Sequence, residues 1–182
     1  AHWPTAPTMP LPVGPNALVL LRLPGAAVPM PPDTRKITFT SGTTGNPKGV
    51  CLSGAAMDRV AQGLVQALAP LDIRRHLCAL PLAVLLENIA GVMAPLARGA
   101  ECVVLPLASL GLQGSSHFDP ATFHTAVVQH APNSLILLPQ MLRAWALWLA
   151  ATGQRAPASL RMVAVGGAAV GERLMRSARA VG

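Results

Sequence analysis

The chain has 182 residues, 52% of them hydrophobic and only 3% aromatic, with twelve arginines and two lysines against seven acids for a formal net charge of +7. That length and apolar content suit one globular domain with a core of small and aliphatic side chains, and they exclude an intrinsically disordered chain. The arginines are scattered singly apart from the pair Arg74-Arg75 and carry no aromatic interleaving, so nucleic acid is not the expected partner; an anionic small ligand gains from the same positive field.

Residues 1 to 15 carry five prolines and end in the turn pair Gly14-Pro15, which forbids a regular helix and predicts an extended wrap or linker. Ala17 to Arg22 predicts a short strand, and Pro24 to Pro32 is again a stretch of breakers. Residues 1–34 therefore read as a proline-rich peripheral segment with one short strand, and 35–182 as an α/β domain.

Ile37-Thr38-Phe39 predicts the next strand, and it empties into Thr40-Ser41-Gly42-Thr43-Thr44-Gly45-Asn46-Pro47-Lys48-Gly49. The glycines let the backbone turn and approach a ligand closely, so that consecutive N–H groups converge on an anion. Thr40, Ser41, Thr43 and Thr44 add hydroxyl donors, and Lys48 adds a positive charge on a long stem. Each charge-assisted hydrogen bond contributes roughly 1.5–3 kcal/mol, so three or four suffice to hold a polyphosphate. The run is not the phosphate loop of the common NTPases. That loop needs Gly-Lys followed by Ser or Thr at a helix start, whereas here Pro47 precedes Lys48 and the strand-like Val50-Cys51-Leu52 follows Gly49.

From Ser53 the apolar period becomes helical, with Ala56, Val60, Ala61, Leu64, Val65 and Leu68 on one stripe and Ser53 placed to cap the first turn. Leu77 to Leu80 predicts a buried strand, Asn88 to Arg98 a helix stopped by Gly99, and Glu101 to Leu105 another strand. Gly111 to Ser116 reads as a loop. Asp119-Pro120 supplies a cap and a first-turn proline for a helix to His130, Ser134 to Leu138 is a strand, and Pro139 to Thr152 a helix stopped by Gly153. Met162 to Val165 is the last strand and Gly171 to Val181 the last helix. Strands alternating with helices imply a largely parallel sheet flanked by helices, whose ligands sit beyond the carboxyl ends of the strands. The loop after Phe39 and the Gly166-Gly167 turn after Val165 are both expected at such ends, where one nucleotide can touch both.

Cys51, Cys78 and Cys102 are widely spaced in apolar contexts and read as reduced core thiols, and the five histidines show no metal-ligand spacing, so no metal residues are assigned. No secretory leader is visible in the first residues, and no run reaches ~18 uninterrupted apolar residues, which predicts a cytoplasmic location without a transmembrane segment. Glu87, a carboxylate after an apolar strand, reads either as a helix-start residue favoured by the macrodipole or as a substrate-site residue. Trp145 and Trp148 read as packing on their helix.

Thr40 to Gly49 resembles, across the whole motif, the phosphate-binding signature of the adenylate-forming superfamily: acyl-CoA synthetases, luciferases and the adenylation domains of peptide synthetases. Leu80-Pro-Leu-Ala-Val-Leu-Leu-Glu-Asn88 is similar to a segment of long-chain fatty acyl-CoA synthetases, with Val84 where those usually carry His. Leu160 to Ala169 is similar to the strand and Gly-Gly-Ala turn that borders the adenine and acyl sites, with Ala169 in place of the usual Pro.

The resemblance implies that residues 35–182 are part of the large N-terminal AMP-binding domain of a fatty acyl-CoA synthetase-like enzyme. It implies an acid-thiol ligase that activates a carboxylic acid, fatty acyl by the Leu80–Asn88 likeness, with ATP and Mg2+ and passes it to CoA. In that scheme Lys48 and Thr44 are catalytic; Thr40, Ser41, Gly42, Thr43, Thr44, Gly45, Lys48, Gly166, Gly167, Ala168 and Ala169 bind the nucleotide; and Val84 and Glu87 border the acid. The family's Tyr-Gly-x-Thr-Glu segment, ribose-binding Asp and C-terminal catalytic Lys do not occur here, so a fragment without turnover of its own is expected, with magnesium held largely by the rest of the parent chain. A nonenzymatic nucleotide- or phosphate-binding module, or an adenylation domain loading a carrier-protein thiol, are the alternatives.

Overall fold

A computed structural model describes residues 8–13, 16–21, 26, 28–40, 48–114 and 117–182, with the backbone alone for the residues up to 21 and for Thr40. Strands β1 (Thr8–Val13) and β2 (Asn16–Leu21) pair antiparallel, with Leu11 opposite Leu18. The segment expected to be a wrap with one strand thus holds two. Pro10 and Pro12 forbid a helix, as expected, but a two-stranded ribbon has free edges on which a residue without an N–H is tolerated.

Strands β3 (Thr34–Thr40) and β4 (Lys48–Ser53) form a second antiparallel pair, and helix α1 (Gly54–Ala67) follows directly. Ser53 caps α1 as its spacing predicts, its Oγ accepting the Ala56 N–H at 3.2 Å. Ala61 of α1 is buried against Ile89 and Ala94, which ties the helix to the crossover that follows β5 (Arg75–Cys78).

That crossover enters a π-helix, Glu87–Met93, which continues as the short α2 (Ala94–Ala97) and leads to β6 (Glu101–Val104). The expected loop before residue 117 contains a small ladder, β7 (Leu112–Gln113) with β8 (His117–Phe118). Helix α3 (Pro120–His130) starts at Asp119, whose carboxylate accepts the N–H groups of Ala121 and Thr122 at 3.1 and 3.2 Å. Then come β9 (Ser134–Leu137), α4 (Pro139–Thr152, with Gly153 at φ 67° beyond it), β10 (Met162–Val165) and α5 (Glu172–Val181).

Four of these strands make one parallel sheet in the order β10-β9-β5-β6. Successive side chains of β5 face opposite sides. Leu77 joins the main core with Phe123, Val127, Leu135, Leu137, Trp145 and Leu149, whereas His76 and Cys78 meet the π-helix through Glu87 and the Gly91 carbonyl. The fold is thus an α/β layer structure with a parallel sheet flanked by helices, as the alternation of patterns predicts. No helix among the described residues is long and apolar enough to cross a membrane.

Candidate functional site

The glycine-rich run joins β3 to β4 in the sequence. Phe39 is the register partner of Gly49, and Thr40 that of Lys48, so Lys48 stands opposite the residue that opens the run. Lys48 is exposed. Ser41, Gly42, Thr43, Thr44 and Gly45, and the side chain of Thr40, lie outside the described residues.

The loop after Phe39 was expected at the carboxyl end of a strand in the same sheet as β10, but β3 and β4 are hydrogen-bonded only to one another among the described strands. The length of the connection accounts for the antiparallel pairing of β4 with β3. Residues 41–47 suffice to fold a chain straight back into an antiparallel partner, whereas a parallel neighbour needs a crossover of roughly a dozen residues or more.

The carboxyl edge of the four-stranded sheet is the second part of the site. From β5 the chain moves outward to β6, then returns to the other side of β5 for β9 and outward again to β10. Its direction therefore reverses between β5 and β9, and in such sheets a crevice opens outside the carboxyl ends of the strands at that point. Ala79 and Leu80 leave β5 there, Leu138 leaves β9, and the Gly166-Gly167 turn leaves β10.

This turn is where two of the sequence segments meet. The Gly166 N–H donates to the Leu137 carbonyl at 3.2 Å. A β-carbon on Gly166 would stand 2.6 Å from Leu86 Cδ2, and one on Gly167, which has φ 86°, would stand 2.8 Å from Leu138 Cδ2. Only glycine fits both places without displacing a neighbour. Ala168 and Ala169 follow in the open. Leu82 and Val84, in the loop that ends at Leu86, are 44% and 37% exposed, so the loop offers apolar surface at this edge.

Glu87 does not share that exposure. Its side chain is fully buried at the start of the π-helix, where Oε1 lies 3.0 Å from His76 Nε2 and Oε2 accepts the Leu80 N–H at 3.2 Å. His76 Nδ1 in turn lies 2.8 Å from the Ser134 hydroxyl, and both of these residues are 1% exposed. The helix-start alternative describes its backbone position. Its side chain points into the interior, onto a histidine that the sequence left without a role.

Cys78 joins the group, with the ligand-type atoms of His76, Cys78 and Glu87 all within 4.8 Å of one another. Burial, reinforced by the Glu87 charge and by Cys102, pushes the Cys78 thiol up to about 12, so at neutral pH it is a protonated core thiol and not a nucleophile. Its Sγ faces the Gly91 carbonyl at 3.7 Å, and each polar atom of the set already has a protein partner. The cluster is a closed hydrogen-bond network. Sequence reasoning missed it because His76 and Ser134 lie 58 residues apart and meet only through the register of β5 on β9. The one available signal was a histidine directly before the apolar run Leu77 to Leu80.

Grooves of about 370 and 660 Å3 run along α4 and α5, lined by residues such as Trp145, Leu149 and Arg179 or Leu147, Arg173 and Ser177. Neither lining includes Lys48, Val84 or Gly166 to Ala169.

A family model described as AMP-binding enzyme matches residues 8–182. No curated protein sequence matches the chain. Among solved structures, the apo structure of MbtA from Mycobacterium smegmatis is similar, with a TM-score of 0.63 and 22% identity over 87% of this chain. So is O-succinylbenzoate coenzyme A synthetase from Bacillus subtilis, in complex with ATP and magnesium ion (TM-score 0.57, 23% identity over 80% of this chain). The amide bond synthetase McbA from Marinactinospora thermotolerans has a TM-score of 0.63 and 26% identity over 83% of this chain. The chain spans 27% of the length of each of these three.

Proposed function

The chain belongs to the AMP-binding enzyme family, and from that premise we propose that the natural protein activates an apolar, fatty acyl-type carboxylic acid as its adenylate and passes the acyl group to CoA. The carboxylate oxygen attacks the α-phosphorus of Mg·ATP in line, and the bond from that phosphorus to the bridging oxygen breaks as pyrophosphate leaves. The CoA thiol then attacks the acyl carbon, losing its proton to the medium, and AMP departs. The protein's part in the first step is positioning and stabilisation of the charge that builds on pyrophosphate.

In this scheme Lys48 and the donors from Thr40 to Gly45, Thr44 among them, hold the phosphates, and Gly166 to Ala169 frame the adenine and the acid. Leu82 and Val84 supply apolar wall for the acyl chain. Glu87 is enclosed by its own hydrogen bonds, so it is not assigned to magnesium, which enters as part of the Mg·ATP substrate.

The observation that carries this reading is the Gly166-Gly167 turn at the carboxyl end of β10, where Leu86 and Leu138 close in on backbone that bears no side chain and the chain runs on exposed through Ala168 and Ala169. The test is acid-dependent exchange of pyrophosphate into ATP by the natural full-length protein, over carboxylic acids of increasing chain length. Exchange that rises with chain length supports a fatty acyl substrate, and exchange confined to small polar acids refutes that part.

A further inference from the structure

We propose that Ser134, His76 and Glu87 form a buried relay that fixes the loop from Pro81 to Leu86 at the carboxyl edge of the sheet, making Glu87 a positioning residue for the acid substrate. The inference rests on the adenylate-forming reading above and assigns Glu87 a role without contact to the acid.

The relay joins three elements. It begins at Ser134 on β9, passes through His76 on β5 and ends on Glu87 at the start of the π-helix, whose other oxygen holds the Leu80 N–H just beyond β5. Both ring nitrogens of His76 are thereby taken up, Nε2 by Glu87 and Nδ1 by Ser134. Leu80 and Glu87 are the two ends of the loop, so one side chain staples both. Within the loop the Val84 N–H donates to the Pro81 carbonyl at 2.9 Å, Leu82 and Val84 are exposed, and Leu86 abuts Gly166. A displacement of Glu87 is therefore passed to the apolar wall and to the glycine turn together.

The π-helix is built around this staple. A β-carbon on Gly91 would stand 2.8 Å from both Glu87 Cδ and His76 Nε2, so the helix backbone is pressed onto the pair. Such wide turns in helices recur at functional sites. Stability alone does not account for the arrangement, because replacing both partners of a buried hydrogen bond by apolar groups of the same shape is nearly neutral or stabilising. What the pair supplies is direction, since a satisfied polar network admits one geometry where apolar contacts admit several.

The test uses the natural full-length protein with Glu87→Gln, which preserves volume and an acceptor, and with Ser134→Ala, which leaves the loop itself untouched. Acid-dependent pyrophosphate exchange gives KM for the acid and for ATP, and thermal unfolding is followed alongside. The expected result is a KM for the acid raised about tenfold in Glu87→Gln, in keeping with the cost of slight misplacement, and by a smaller factor in the same direction in Ser134→Ala, with KM for ATP nearly unchanged. A purely structural role would lower the melting temperature and leave the KM values alone. If Glu87→Gln fails to fold, Ser134→Ala still decides. Unchanged KM for the acid in the variants of an active protein overturns the relay alone, whereas a wild type that exchanges with no acid removes the adenylate reading and this inference with it.

Discussion

Leu86 fills the space that a side chain at Gly166 would need, with Leu86 Cδ2 2.6 Å from where a β-carbon would stand. This contact joins the crossover that leaves β5 to the turn that leaves β10, and so ties two segments 80 residues apart in sequence into one edge. Gly166→Ala should force Leu86 or the turn to shift, at the ~1–3 kcal/mol typical of overpacking. The expected outcome is a lower melting temperature with a larger loss of pyrophosphate exchange, both partly restored by adding Leu86→Ala. A double variant no better than Gly166→Ala would show that the two residues are not coupled.

Lys48 is exposed at the start of β4, opposite Thr40. Lys48→Ala in the natural full-length protein should slow adenylate formation by on the order of a hundredfold or more, as loss of a charge-stabilising donor does, and leave thermal unfolding within about 0.5 kcal/mol of wild type, as expected for a surface change. Wild-type exchange rates in this variant would remove Lys48 from the phosphate site.

Asp119 caps α3, and its carboxyl is held below the usual carboxylate range, first by the Thr122 hydroxyl and then by the Ala121 N–H. A depressed folded pKa contributes stability that is complete above the unfolded value and fades as pH falls through the folded one. Asp119→Ala should cost about 1 kcal/mol at neutral pH, and urea unfolding should show the gap to wild type closing as the solution is acidified below pH ~4. A gap independent of pH would contradict the capping role of the charged form.

His124 is packed between Trp145, whose Nε1–H donates to its Nδ1 at 3.4 Å, and Trp148, at a ring distance of 5.0 Å. Burial lowers its pKa below 6.5, against a smaller opposing effect of Gln154. The unfolded chain therefore takes up this proton first, and stability falls as pH drops through the unfolded value toward the folded one. The urea midpoint should decrease between pH 7.5 and 5.5 by more in wild type than in His124→Gln. Equal decreases would place the pH dependence elsewhere.

Much of the fold was legible because its boundaries carry local chemistry. Ser53 before α1, Asp119-Pro120 before α3, and Pro139 with Gly153 around α4 each mark an end by a cap, a fixed φ or a left-handed turn, and each element lies where those residues put it. Pairing was less legible. That β3 turns back on β4 instead of joining β10's sheet, or that Pro10 and Pro12 lie in a strand, is decided by partners that no local pattern names. The same holds for the site. The Gly166-Gly167 turn announced itself by residue type, whereas the union of His76, Glu87 and Ser134 depends on side chains meeting across β5, β9 and the π-helix, where Glu87 could be read only as a lone carboxylate.

The most direct measurement of the central claim is exchange of labelled pyrophosphate into ATP by the natural full-length protein, with and without added carboxylic acid. Exchange that requires an acid, strengthens with apolar chain length and collapses in Lys48→Ala is the predicted result. Exchange that is absent with every acid, or present at the same rate with none, would contradict it.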